Sequence, residues 1–353
     1  MELSQFIYRK DSTLVKKKMS LYGVVFLVCL FLIFTYFFST NTVDYAKEEK
    51  ITQTSEPDIV IEPPAQPIAG KQESNPETAI EIVDAEELDF FYDQIQTIIN
   101  KASVDFSGDF AVTYIDLSTG KQLSVNGDKE FYTASTIKVP LAMMVADRVN
   151  EGVLHWNDKI VYNKERDYEE GTGKIINNIQ PSYSLNTLQE YNITYSDNIA
   201  KNMLYSLFGG EKQAKRQLYR YFFSRETDVE DVQFTSEEAA SILQILYQEK
   251  AENAEYQKIY DYMKKTVFHE RLETSLTEGK VAHKIGSYDN YIHDIGILET
   301  SHPFILSVFT KEEVSGTGAE AISRLTDQLW KLQSEHYPSS AASPQQLIQQ
   351  AGA

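Results

Sequence analysis

The chain of 353 residues has one cysteine, two tryptophans, and too little positive charge to balance its acids: 33 Lys plus Arg stand against 52 Asp plus Glu, a formal charge of −19. A single Cys excludes an intrachain disulfide framework and any site that needs several thiolates. The acidic balance argues against a nucleic-acid partner, because phosphates are bound by clustered Lys and Arg. Charge of either sign is missing from Met19 to Val43. Proline is scarce beyond residue 76, since five of the ten prolines lie between Pro57 and Pro76. No fixed-period repeat is visible. Apolar residues are not lacking: at 42% they suffice for a real core and exclude a wholly disordered chain.

The uncharged stretch is expected to be a membrane anchor. Leu21 to Phe38 is nearly all aliphatic or aromatic, and about twenty such residues span a bilayer as a helix. Before it stand Arg9, Lys10, Lys16, Lys17 and Lys18 against Glu2 and Asp11, a net charge of +3. The positive-inside rule then puts the N-terminal residues 1–20 in the cytoplasm, 21–40 across the membrane and the rest outside. The apolar run is too long for a signal-peptide core, and no small-x-small site follows Phe38 directly. Cys29, preceded by Phe26, Leu27 and Val28, reads as an apolar residue inside this anchor. Residues 41–85, rich in Pro, Glu, Gln and Ser, read as an extended linker. Residues 338–353 read as a loose tail.

The remaining body, 86–337, alternates its periodicity. Glu86 to Lys101 carries Leu88, Phe91, Ile95, Ile98 and Ile99 on one helical side. Strand patterns cover Asp109–Leu117 and Gln122–Val125 around a Ser118-Thr119-Gly120-Lys121 turn. Helical patterns follow at Thr136–Val149, Leu185–Tyr191, Asn198–Leu207, Lys212–Phe223 and Ser236–Tyr247, the last with a Thr235/Glu238 capping box. Strand patterns return at Lys280–Ile285, Tyr291–Leu298 and Phe304–Thr310, and a helix closes the body over Gly318–Glu335. Strands at both ends around a helical middle predict an α+β fold, one antiparallel sheet beside an all-helical lobe.

Three short motifs carry chemistry. Ser135-Thr136-Ile137-Lys138 places a hydroxyl and an amine on one face of a helix start. A Lys of depressed pKa can take the hydroxyl proton and activate the oxygen. Alone the spacing is weak, since Ser-x-x-Lys arises about once by chance in a chain this long. Pro140 is expected to free the Thr136 carbonyl and bend this helix. Ser196-Asp197-Asn198 reads as an N-cap, or with Ser135 as a second hydroxyl and a carboxamide on one cleft. Lys284-Ile285-Gly286-Ser287 lies on a predicted strand, where Gly286 would admit a ligand close to the backbone.

Together the three resemble the Ser-x-x-Lys, Ser-Asp-Asn and Lys-Thr-Gly elements of class A β-lactamases and penicillin-binding proteins. Phe131-Tyr132-Thr133-Ala134 before Ser135, Gly171-Thr172-Gly173, Val281-Ala282-His283 before Lys284, and His293-Asp294-Ile295-Gly296 extend the likeness. It covers roughly Leu88 to Tyr337 and implies that family's antiparallel sheet flanked by helices beside an all-helical lobe. The resemblance implies Ser135 as the acylated nucleophile, Lys138 as its base and Ser196 as proton donor to the leaving nitrogen. Asn198 would hold the substrate amide. Lys284, Gly286 and Ser287 would complete the substrate site, with the Ser135 and Ser287 N–H groups as oxyanion hole. It implies no metal or cofactor.

Two departures follow from the comparison of motifs. Ile285 stands where the family has a hydroxyl that binds the substrate carboxylate; Ser287 is the candidate replacement. Between Asn198 and Thr235 there is no Glu-x-x-Leu-Asn motif to supply the base for deacylation, and Glu226, Glu230 and Glu237 are candidates by position only. A missing base costs roughly 10²–10⁴ in a proton-transfer step. The expected function is thus a membrane-anchored serine hydrolase acting on a β-lactam or related amide. The alternatives are a D-Ala-D-Ala peptidase acting on peptidoglycan peptides and a non-catalytic wall-sensing module. His269-Glu270-Arg271-Leu272-Glu273 lacks the second His of a zinc motif, and His283 and His293 read as structural.

Overall fold

A computed structural model describes residues 76–226 and 232–338. The segments read as anchor, most of the linker and the tail lie outside the described residues, as does Glu230. Among the described residues no helix is long and apolar enough to cross a membrane.

Five antiparallel strands form the sheet: β1 (Gly108–Asp116), β2 (Gln122–Val125), β7 (Val281–Tyr288), β8 (Tyr291–Leu298) and β9 (Phe304–Glu312). Their order is β2-β1-β9-β8-β7. β1 lies against β9 from Gly108↔Glu312 to Asp116↔Phe304, so the sheet joins the two ends of the domain. Side chains alternate across it. Phe110, Val112 and Tyr114 pack with helices α1 (Pro76–Asp105) and α9 (Thr317–Glu335). Ala111 and Ile115, with Phe309, face the opposite core. Both faces are therefore buried, which is why β1 and β9 read as nearly continuous apolar runs. Fully burying each of Phe91, Ile95 and Ile99 from α1 contributes about 1.5–3 kcal/mol.

The second core is the helical lobe. Its central helix α2 (Lys138–Asn150) is buried continuously from Lys138 to Ala146, so it is apolar on every side rather than amphipathic. Around it stand α3 (Lys164–Asp167), α4 (Leu185–Thr194), α5 (Asn198–Tyr205), α6 (Glu211–Phe223), α7 (Ser236–Glu249) and α8 (Ala254–Lys264). Two-stranded pairs β3 (Phe131–Tyr132) with β6 (Gln233–Phe234), and β4 (Lys159–Val161) with β5 (Ser182–Ser184), stitch its loops.

The structure departs from expectation in three places. The first helix begins at Pro76, ten residues inside the segment read as linker; proline is well suited to a first helical turn, where its missing N–H has no intrahelical role. Pro140 does not break a helix. A 3₁₀ turn over Ala134–Ile137 comes first and the α-helix starts at Lys138, so Pro140 falls within the first turn. Helix α8 had no counterpart in the sequence reading, although Tyr256, Ile259, Tyr260 and Met263 bury one face behind an Asn253 N-cap.

Candidate active site

Ser135 sits on the 3₁₀ turn and Lys138 opens α2 directly behind it. Lys138 is fully buried, and its Nζ reaches four oxygens. It lies 2.9 Å from Ser135 Oγ, 2.7 Å from the Ser196 carbonyl, 3.0 Å from Ser196 Oγ and 2.8 Å from Asn198 Oδ1. Burial, then the positive charges of Lys284 and Lys201, hold this amine well below the ordinary lysine range. A neutral amine has two N–H groups and one lone pair. The Ser196 carbonyl and Asn198 Oδ1 can only accept, so they take the two N–H groups. The lone pair is left for a hydroxyl proton, and Ser135 is in reach.

The Ser-Asp-Asn segment is fixed by its middle residue. Asp197 caps α5 through Oδ1 and the Ala200 N–H at 2.9 Å. Its Oδ2 accepts from the Lys174 and Ile175 N–H groups at 2.7 and 2.8 Å, tying down the 171–175 loop. Gly173 is obligatory there: with φ of +135°, an added Cβ would lie 2.4 Å from the Asp197 carboxylate. Thr172 Oγ1 donates to the Ser196 carbonyl at 2.6 Å, and Asn198 Nδ2 donates to the Glu170 carbonyl at 3.1 Å. Six non-glycine residues have positive φ among the described residues, and Ala134, Ser196 and Arg271 are three of them. Such backbone costs of order 1–3 kcal/mol at each position and persists where surroundings over-determine it.

Lys284 lies on β7, the open edge of the sheet, fully buried, with Nζ donating to the Ile285 carbonyl at 2.9 Å. Burial pushes it down to about 7; Asp294 opposes that shift and Arg271 adds to it. Gly286 has a different use from the one expected. A Cβ there would meet Thr136 Cγ2 at 3.0 Å, the Thr133 carbonyl at 3.1 Å and Ala134 Cβ at 3.3 Å. The room it provides is filled by the turn that carries Ser135, so the glycine docks the nucleophile turn onto β7. Ser287, just beyond, is exposed.

Arg271 escaped the sequence reading because it stood in a segment set aside as a failed zinc motif. Its guanidinium is 5% exposed. Nη1 donates to the Gly286 and His293 carbonyls at 3.1 and 2.7 Å, and Nη2 to Ser287 Oγ at 2.6 Å. Since Ser287 Oγ accepts from a cation, its own proton is free to point outward. The two strand histidines are structural, as read. His293 Nε2 donates to the Tyr132 carbonyl at 2.8 Å while its Nδ1 accepts from the Thr310 N–H at 3.1 Å; burial pushes it down to about 3. His283 Nδ1 lies 2.8 Å from Asp294 Oδ2, and its Nε2 faces Glu273 at 3.8 Å. Burial opposes its charge, but Asp294 and Glu273 outweigh burial and raise it to about 9.

Neither described candidate for a deacylation base reaches this cluster. Glu226 is exposed and pairs with Arg220 at 2.7 Å, and Glu237 accepts from Ser124 Oγ at 2.8 Å. A cavity of about 500 Å³ between α2 and α6, lined by Met144, Asp147, Arg148, Phe208 and Tyr221, contains none of the motif residues. Chemistry, not volume, locates the site.

Comparison with known proteins identifies the family and the fold. Residues 91–333 match the beta-lactamase enzyme family. The extended-spectrum beta-lactamase PER-1 of Pseudomonas aeruginosa is 27% identical over 244 residues, covering 60% of this chain and 78% of its own. Among solved structures, an ancestral class A beta-lactamase superposes with a TM-score of 0.61 at 23% identity, covering 67% of this chain and 99% of that one. A mutant of PBP-A, solved as an acyl-enzyme complex with penicillin G, superposes with a TM-score of 0.60 at 21% identity, covering 69% and 96%. At these identities the structural likeness is one of fold.

Proposed function

The chain belongs to the beta-lactamase enzyme family and is a serine hydrolase, and from that premise we propose that Ser135 is its nucleophile, acylated by a β-lactam or related amide. The observation that carries this reading is the Lys138 amine, buried, held below its ordinary pKa and 2.9 Å from Ser135 Oγ. In the proposed acylation Lys138 takes the Ser135 proton and Oγ bonds to the substrate carbonyl carbon. The carbonyl–nitrogen bond breaks, and Ser196 passes a proton to the departing nitrogen and is refilled by the proton that Lys138 took from Ser135. Asn198 spends one Nδ2 hydrogen on Glu170 and keeps one for the substrate amide. β7 leaves alternate N–H groups unpaired along its open edge. Ser287, two residues beyond the Ile285 carbonyl that receives Lys284, supplies one such N–H beside that of Ser135 as oxyanion hole. Lys284 and the Arg271–Ser287 pair provide the field for a substrate carboxylate, which offsets the hydroxyl missing at Ile285. Water then hydrolyses the ester and restores Ser135.

Fluorescent penicillin tests this reading. The expected result is covalent label at Ser135, abolished in Ser135→Ala and formed 10²–10⁴-fold more slowly in Lys138→Ala. Label that persists in Ser135→Ala removes Ser135 from the mechanism. A second reading, a D-Ala-D-Ala peptidase, is favoured by the placement of Glu226 and Glu237 away from the site; long-lived label supports it and rapid release supports a β-lactamase. The anchor belongs to the same proposal: residues 21–40 would hold the domain outside the membrane, with the N-terminal segment in the cytoplasm, on the strength of the uncharged run and its basic flank. Protease added to intact cells should then remove the domain; protection until lysis refutes the orientation.

A further inference from the structure

We infer that Glu169 supplies the carboxylate for deacylation, reaching the site from the loop after α3 rather than from the segment between α5 and α7. This rests on the acyl-enzyme reading above. Its backbone neighbour is already docked there: the Glu170 carbonyl accepts from Asn198 Nδ2, and Asn198 Oδ1 accepts from Lys138. The Glu169 side chain lies along α5. Its Oε2 accepts from Lys201 Nζ at 2.9 Å and from Asn202 Nδ2 at 2.8 Å. Residues 198, 201 and 202 share one face of a helix, so this carboxylate stands one turn from Asn198. Lys201 and Asn202 thus fix Oε2, while Oε1 has no hydrogen-bond partner among the described residues and the side chain is 40% exposed, open to water.

Glu170, the next residue, is exposed and only its carbonyl is held by Asn198, and three other carboxylates are committed. Asp197 accepts three backbone N–H groups, Glu211 pairs with Lys215, and Glu238 caps α7 and pairs with Arg225. Glu169 is also the strongest anionic influence on Lys138, ahead of Asp197. In the step assigned to it, Oε1 takes a proton from a water molecule as the water oxygen bonds to the acyl carbon. The bond from that carbon to Ser135 Oγ then breaks, and the proton held by Glu169 returns to Oγ through Lys138, which restores both the carboxylate and the hydroxyl. Because Oε2 is held by Lys201 and Asn202 one turn from Asn198, release is expected to be slow but not absent.

The test is single-turnover kinetics with penicillin on the full chain, following acylation and release separately in wild type, Glu169→Gln and Glu169→Asp. Release in Glu169→Gln is expected to slow at least tenfold more than acylation does, with Glu169→Asp between the two. Equal slowing of both steps, the mark of a purely structural role, overturns the inference, as does unchanged release. If wild type forms no acyl-enzyme at Ser135, the proposed function itself fails, a result distinct from either.

Discussion

Replacing Arg271 by Lys tests whether the buried guanidinium serves the substrate carboxylate. Arg271 holds three acceptors with one planar group: two carbonyls through Nη1 and Ser287 Oγ through Nη2. Lys presents a single ammonium on a flexible stem and cannot span them. The link lost is the hydrogen bond to Ser287, made by a charged donor and worth about 1.5–3 kcal/mol. At 1.4 kcal/mol per decade this predicts a fall of about 10–100-fold in the second-order acylation rate by penicillin. The penicillin methyl ester, which has no carboxylate, should lose less than about 3-fold by the same reasoning. Ser287→Ala should produce much of the same loss, and the two changes should combine non-additively because they break one contact. If acid and ester fall equally, the guanidinium braces β7 and does not serve recognition.

Two further outcomes follow from buried groups near the site. His283, raised to about 9 from 6.5, adds about 3 kcal/mol of stability below pH 6.5 that disappears as pH rises through 9; urea unfolding of wild type relative to His283→Gln should lose that difference between pH 6 and pH 10, and a pH-independent difference refutes a charged imidazole. Gly286→Ala forces a methyl against Thr136, Thr133 and Ala134, an overpacking cost of about 1–3 kcal/mol that should lower Tm by roughly 2–12 °C; an unchanged Tm would mean the Ser135 turn is not packed on β7.

Much of this was legible in the sequence, and the gaps have physical causes. The spans of β2 and β8 were readable to the residue, because turns bound them and apolar runs fill them. The Thr235/Glu238 capping box formed as its spacing required. Ser135, Lys138, Ser196 and Asn198 come together within 3.0 Å contacts of one amine, as two separate motifs suggested. Arg271 and Glu169 were not legible. Each acts through partners distant in sequence, and neither lies in a periodic pattern. Gly286 was visible as a special position, but sequence alone could not say whether a ligand or the protein's own turn would fill the space. Helix α8 was readable in principle from its Asn253 cap and its buried stripe.

The pairing of β1 with β9 has a consequence for how the enzyme comes into being. Phe110 lies opposite Thr310 and Ile115 opposite Ile305, so the middle of the sheet closes across nearly two hundred residues. Such non-local ladders form late, since the entropy of closing the long loop must be met before the contacts stabilise it. Ser135 and Lys138 are synthesised early, yet β7, onto which their turn is docked through Gly286, arrives only with residues 281–288. A nascent chain therefore carries the Ser-x-x-Lys motif through the 143 residues from Lys138 to Val281 without the sheet edge on which its turn docks. Fragments ending before residue 304 lack β9 altogether, leaving β1 and β8 without the strand between them. On the proposed mechanism acylating power would thus be acquired at the end of folding, and a chain ending before residue 304 is expected to take no penicillin label however intact its motifs.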